Sequence, residues 1–459
     1  MTSTIVQTLA EKVASFDAEN VPTDVRAIAS RCLIDISGVT IAGSKTSSAD
    51  RVRSFCQVTY ATGDCRVIGS STLLSAPGAA LANGVAAHAL DFDDNSYAGV
   101  VHGSAVVFPA VLSIAQQYGM SGKDLLDAFI VGLETEFALA RALTNSIYDK
   151  GWWTTSVLGG FGAVAGAARL MHLNPEVIAR ALSFVAVGVG AIRALRGADT
   201  KHYYCGRAAE TGVIAAMMAD RGGSAPVDVF EDRNGVLRII NDSLFESKYI
   251  EKLGREFSLR APGVDIKRYP VCYASHAAID AMLEIIESNN LKPEDIDRVT
   301  CLVPPIVASN LSYTAPVTGV QAQFSIQFSI AAAILYRGVG LEHLRKDTLE
   351  RADLRNLMKK VTMHVGDLPS GVECRNVITP EWANVSVTTR DGISQEVFCG
   401  SARGSAAHPL SDSEIDKKFL ACAGQVMNSE DTLSCLGSLK NIDQVPDVRS
   451  LFSLNKAHP

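Results

Sequence analysis

Three segments of this 459-residue chain carry proton-transfer groups beside residues that could hold an acid. In Val100-Val101-His102-Gly103-Ser104, His102 stands at the start of a helical pattern. A loop-to-helix junction offers free N–H groups and the positive end of a dipole, and both suit a carboxylate. In Arg196-Gly197-Ala198-Asp199-Thr200-Lys201-His202, Lys201 reads as part of a polar loop that feeds the small-residue helix Gly206–Ala216. Partial desolvation there disfavours an ammonium and suits a base. Lys267-Arg268-Tyr269-Pro270-Val271-Cys272-Tyr273-Ala274-Ser275-His276 brings two cations, two phenols and an imidazole to another helix start. Such parts fit the movement of a proton on the carbon next to a carboxylate. That proton is very weakly acidic, so cations must stabilise the developing enediolate while acid and base work near neutral pH.

Other patterns point away from familiar sites. The glycines of Gly160-Phe161-Gly162 and Gly188-Val189-Gly190 resemble dinucleotide fingerprints but lack a preceding strand and a βαβ unit, so close helix packing explains them better. The chain has no P-loop and no G-x-S-x-G elbow. Asp91-Phe92-Asp93-Asp94-Asn95 reads as a hard-cation site, a solvated loop or a catalytic carboxylate loop; an EF-hand would need Gly where Ser96 stands. The ten cysteines, Cys374 among them, include no C-x-x-C pair, which argues against zinc ribbons.

Helical spacing marks Ala27–Ile41 with Asp24 as its cap, Ala79–Leu90, Ser104–Tyr118 stopped by Gly119, Lys123–Leu143, Val157–Met171, Pro175–Val187 and Arg207–Arg221, with a shorter helix opened by Pro226. Residues 1–225 hold 39 alanines and residues 226–459 hold 19. Alanine is the best helix former, so the front half reads as closely packed helices. Further on, Arg298–Val303, Val361–Val365, Ala383–Thr389 and Ile393–Cys399 read as strands, the last two joined by the turn Arg390-Asp391-Gly392. Ser275–Ser288, Ile326–Tyr336, Ser413–Ala423 and Glu430–Leu439 read as helices. The expected fold is mainly α: an all-helical domain from both chain ends, 1–266 and 400–459, and an inserted α+β domain, 267–399.

Hydrophobic residues make up 47% and charged residues 20%, which excludes a disordered or fibrous chain. The charge of 42 − 49 = −7 leaves no general footprint for nucleic acid or anionic lipid. An acidic substrate must then be held by a few placed cations. The longest apolar stretch, Val157–Ala168, is too short to span a bilayer. Met1–Gln7 lacks secretory features, so the expectation is a cytoplasmic protein with reduced cysteines.

Taken together, the motifs resemble the MmgE/PrpD family over nearly the whole chain. They stand here as Ala87-His88-Ala89-Leu90-Asp91-Phe92-Asp93-Asp94; His102-Gly103-Ser104-Ala105-Val106 with Pro109; Gly159-Gly160-Phe161-Gly162-Ala163; Lys201 with Gly206 and Ala208-Ala209; Tyr269-Pro270-Val271-Cys272 with His276; and Ala322-Gln323-Phe324-Ser325. The resemblance implies a helical domain and a smaller α+β domain with the active site between them, a homodimer, and no metal or organic cofactor. It implies Asp91, His102, Lys201 and His276 as site residues, with Lys267 and Arg268 as carboxylate binders. Two positions depart from the dehydratase and decarboxylase pattern: Asn95 where Thr is usual, and Trp153 where a Gly-x-His segment has its histidine. Tryptophan cannot transfer a proton in that role, and Tyr148 on the same segment is a replacement acid. The pattern is most like the epimerase branch. The expected activity is a cofactor-independent, two-base epimerase of an iminodisuccinate-like dicarboxylate, with Lys201 as first base, His276, Tyr148 or His102 as partner, Asp91 tuning a neighbour, and Asn95, Trp153 and Tyr273 contacting substrate. The alternatives are a 2-methylcitrate-type dehydratase and a non-catalytic binding protein of the same fold.

Overall fold

The computed structural model describes residues 3–143, 146–186, 188, 190–195, 197–368 and 381–453. Val189, Arg196 and Cys374, singled out above, lie outside these residues, as does Val187 at the end of a predicted helix. The described part is mainly helical and divides into two compact units. The first comprises 1–89, 93–265 and 411–459; the second comprises 90–92 and 266–410.

The first unit is a stack of helices. Ala76–His88, Gly103–Tyr118, Thr154–Leu170 and Asp199–Asp220 form its centre. In the first of these, twelve of the thirteen residues are buried, which is the pattern of a helix enclosed on all sides. Small residues make this possible. Gly84 meets Gly206 across the contact of two helices, and a Cβ on Gly84 would lie 2.7 Å from the Gly206 Cα. Gly119 ends the Gly103–Tyr118 helix in the left-handed conformation, φ 63, as its sequence position predicts. Within that helix Pro109 has no N–H to offer the carbonyl of Ala105. The Cys205 thiol stands 3.6 Å from that carbonyl and takes over as its donor.

The second unit carries a four-stranded sheet in the order Val361–Val365, Ile296–Val303, Ala383–Thr389, Ser394–Cys399. The first pair is parallel, with Val299 opposite Val361; the other pairs are antiparallel. Ala383–Thr389 alternates buried and half-buried residues, so one sheet face is covered. The helices His276–Asn289 and Ile326–Tyr336 pack on this sheet.

Most predicted elements are present with ends moved by a few residues, and three details differ. Asp24 is no cap: Pro22 precedes the helix Thr23–Gly43, and Asp24 sits in the first turn, where it ion-pairs with Arg260 at 2.6 Å. Pro226 opens no helix, because the Asp228 carbonyl closes turns onto Glu231 and Asp232; the short helix is Val236–Asn241. Lys201 is not in a loop. The helix begins at Asp199, whose carboxylate complements the positive helix start, so Lys201 belongs to the first turn.

Candidate functional site

In the first unit the polar residues gather where the segment 93–102 meets the ends of buried helices. Val100 has φ 55, a conformation in which a β-branched residue is a real outlier. It bends a tight loop that Ser96 and Val101 close through paired main-chain bonds of 2.8 and 3.1 Å. The loop delivers His102 to the N-terminus of the Gly103–Tyr118 helix, and the Thr155 hydroxyl accepts the His102 N–H at 3.1 Å. His102 Nδ1 lies 2.9 Å from the Asp94 carbonyl and 3.2 Å from Asp93 Oδ2. A carbonyl only accepts, so Nδ1 carries the proton, and Nε2 of the neutral ring carries the lone pair. Chemically this arrangement can serve as a general base, with Nε2 as the reactive nitrogen.

Around His102 stand four further side chains. His88 is fully buried, with its ring centroid 4.7 Å from that of His102. Trp153 lies 5.4 Å from His88, and the Lys201 Nζ lies 5.8 Å from the Trp153 ring. Lys201 is 6% exposed. His202, also buried, completes the cluster 5.8 Å from His88.

Buried acids lie under the helix start. Burial pushes Asp94 up to about 7, aided by Asp35 and Asp93, although Ser104 donates to its carboxyl. Burial raises Glu136 to about 8, with Asp94 adding to the rise; neither Glu136 oxygen has a hydrogen-bond partner among the described residues. Asp93 goes the other way. Burial opposes its ionisation, yet His88 and His102 hold it well below the usual carboxylate range. Asn95 is buried and exchanges main-chain bonds of 3.0 and 2.8 Å with Asp265.

Asp91 belongs to the second unit, within the three-residue strap Leu90–Phe92. Its φ of 48 is left-handed. Lys267, 1% exposed, donates to the Asp91 carbonyl at 2.7 Å and pairs with its carboxylate at 3.2 Å. Gln323 Nε2 donates to the Leu90 carbonyl at 2.6 Å. Burial, with Asp91 close by, raises the Cys272 thiol to about 12, which makes it inert as a nucleophile. His276 opens its helix fully buried, between Tyr269 and Tyr273, at ring distances of 5.1 and 4.8 Å. Its Nε2 stands 3.2 Å from the Val271 carbonyl, which makes Nε2 the protonated nitrogen.

The structure thus gathers His102, Lys201 and Trp153 in one unit, and Asp91 with Lys267, and His276 with Tyr273, in the other. Two candidates have other engagements. The Arg193 guanidinium covers the Tyr148 ring at 3.9 Å. Arg268 pairs with Asp280 at 3.5 Å and is 41% exposed. Sequence reasoning placed His88 and Asp93 within motifs without giving either a role of its own, and it passed over Glu136. The one signal in the sequence was a histidine ending an alanine- and glycine-rich helix five residues before an aspartate.

A model of the MmgE/PrpD N-terminal domain matches residues 7–246, and one of the C-terminal domain matches residues 269–435. The chain is 26% identical over 442 residues to the cis-aconitate decarboxylase of Homo sapiens, covering 93% of this chain and 89% of that protein. It is 24% identical over 441 residues to the cis-aconitate decarboxylase of Mus musculus, with 93% and 88% covered. It is 24% identical over 470 residues to the cis-aconitate decarboxylase-like protein oryM of Aspergillus oryzae, with 96% and 95% covered. The two domain models together account for most of the chain, and the chain belongs to the MmgE/PrpD family.

Proposed function

We propose that this protein is a lyase acting on a small di- or tricarboxylate, with His102, Lys201 and His276 as the residues that move protons at a carbon next to a carboxylate. The observation that carries this reading is the locked tautomer of His102, with Nδ1 tied to Asp94 and Asp93 and Nε2 left basic, in a cluster that includes a buried lysine. Lys267 is the cation assigned to a substrate carboxylate, with Asp91 setting its position; Asn95, Trp153 and Tyr273 are assigned to substrate contact. Tyr148 and Arg268 are left out because Arg193 and Asp280 engage them. Two of the relatives named above are cis-aconitate decarboxylases, which are lyases, and this puts lyase chemistry ahead of the epimerase expected from sequence.

The epimerase remains a second reading because of Trp153. Its indole faces His88 and Lys201 and can donate no proton to a leaving group. An epimerase of an iminodisuccinate-like acid needs two bases and no leaving-group acid. Incubation in deuterated water with cis-aconitate, 2-methylcitrate and stereopure iminodisuccinate, each separately, distinguishes the readings. Release of carbon dioxide or water with an unsaturated acid as product supports the lyase. Deuterium gain with stereochemical scrambling and no unsaturated product supports the epimerase. Inertness toward all three sinks both and leaves a binding protein.

A further inference from the structure

Asp93 holds two imidazoles on a single oxygen. Its Oδ2 lies 2.8 Å from His88 Nδ1 and 3.2 Å from His102 Nδ1, and the carboxylate is fully buried. His88 ends the Ala76–His88 helix, also fully buried. Burial keeps its ring neutral, with a pKa of about 3. A neutral imidazole has one N–H, and the ionised oxygen opposite Nδ1 can only accept, so that proton is on Nδ1. His88 Nε2 has no hydrogen-bond partner among the described residues. Oδ2 therefore accepts the His88 N–H, while the His102 Nδ1–H, bonded to the Asp94 carbonyl at 2.9 Å, lies 3.2 Å from the same oxygen. A carboxylate oxygen has the lone pairs for both, but donors that share an oxygen share its charge.

We propose that His88 is a positioning residue which, through the shared Asp93 oxygen, fixes the basic nitrogen of His102 and limits how strongly that nitrogen binds a proton. When His102 takes a proton at Nε2, its Nδ1–H draws on Asp93 for compensating charge. The His88 donor has already taken part of that charge, so the imidazolium gains less than it would from an unshared partner. The inference rests on the reading of His102 as an acid–base group.

Several charged or titratable groups surround this pair. Asp93 and Asp94 come from the preceding loop, and Lys201 and His202 from the Asp199–Asp220 helix. Glu136 reaches up from the Gly122–Ala142 helix, its Oε2 3.2 Å from where a Cβ on Gly103 would stand. Lys201 disfavours a proton on His88, whereas burial keeps the Glu136 carboxyl largely uncharged at neutral pH.

The test uses the full chain with ¹⁵N-labelled histidines, the His102 signals being assigned by their loss in His102→Gln. His88→Leu removes the donor; His88→Asn retains it, because the asparagine Nδ2 stands about where the imidazole Nδ1 stood. The expected result is a His102 titration midpoint about one pH unit higher in His88→Leu, the size set by losing one hydrogen bond to a charged group, and a return toward wild type in His88→Asn. The low-pH limb of kcat/KM on whichever acid is turned over moves with it. An unmoved midpoint in His88→Leu, or equal shifts in both variants, overturns the proposal. Should His88→Leu fail to fold, Asp93→Asn serves in the same titration: a lower His102 midpoint supports the shared oxygen, and an unmoved one overturns it. Because the titration needs no substrate, it decides this inference even where all three acids prove inert and the catalytic reading fails.

Discussion

The Lys201 side chain is buried in the first turn of a helix, with its Nζ 5.8 Å from an indole. Lys201→Ala should lower kcat/KM by at least about 10²-fold, the usual weight of one acid–base group, with an unchanged far-ultraviolet dichroism spectrum. Lys201→Arg should not rescue it, since a guanidinium stays protonated. Near-normal turnover in either variant removes Lys201 from the mechanism. Glu136 makes a different prediction. Its folded pKa of about 8 lies above the ordinary 4.5, so between those values the folded state binds more protons than the unfolded one. The associated stability is complete below about 4.5 and is lost as pH rises to about 8, at about 1.4 kcal/mol for each pH unit between the two values. Glu136→Gln should therefore match wild type in melting temperature near pH 4.5 and exceed it near pH 8.5, measured by calorimetry. Residue types and motif spacing made His102, Lys201 and Asp91 legible in the sequence. His88 and Glu136 did not stand out in the sequence, because what distinguishes both is full burial, which the residues beside them in the chain do not reveal.

At the scale of elements, the contact of Ala76–His88 with Asp199–Asp220 depends on backbone meeting backbone at Gly84 and Gly206. Gly84→Val puts side-chain carbons into that contact and should destabilise the fold by about 1–3 kcal/mol, read as a melting temperature lower by several degrees. An unchanged transition shows that the two helices can separate without cost. The small-residue runs that form this contact are also what made the helices legible: alanine and glycine recur over whole turns. The start at Asp199 was missed because Asp-Thr-Lys-His has the polarity of a loop, while its function in the helix is to place a carboxylate at the dipole's positive end and a lysine in the interior. The strand pattern in the second unit was legible from alternation. The strap Leu90–Phe92 was not, because it is held by Lys267 and Gln323, more than 170 residues away.

At the scale of the molecule, the chain finishes by returning to its beginning. The Asp412–Ala423 helix lies against Thr23–Gly43, where Lys418 pairs with Asp35 at 2.6 Å and both side chains are buried. Lys418→Ala leaves a carboxylate in the core and should cost about 3–5 kcal/mol; the pair Asp35→Leu with Lys418→Met should recover most of it, as read by urea denaturation. Equal losses in the single and double variants would refute a charge-pair origin. Among the described residues no helix is long and apolar enough to cross a membrane. The strap has a consequence for inheritance. The chain passes from the first unit to the second and back within residues 89–93, and again at 265–266 and 410–411. A chimera that exchanged 266–410 alone would keep the host's residues 90–92, and its new equivalents of Lys267 and Gln323 would have to recognise foreign partners. The smaller unit is therefore not a free cassette. Functional recombinants should be those that transplant the three-residue strap together with it.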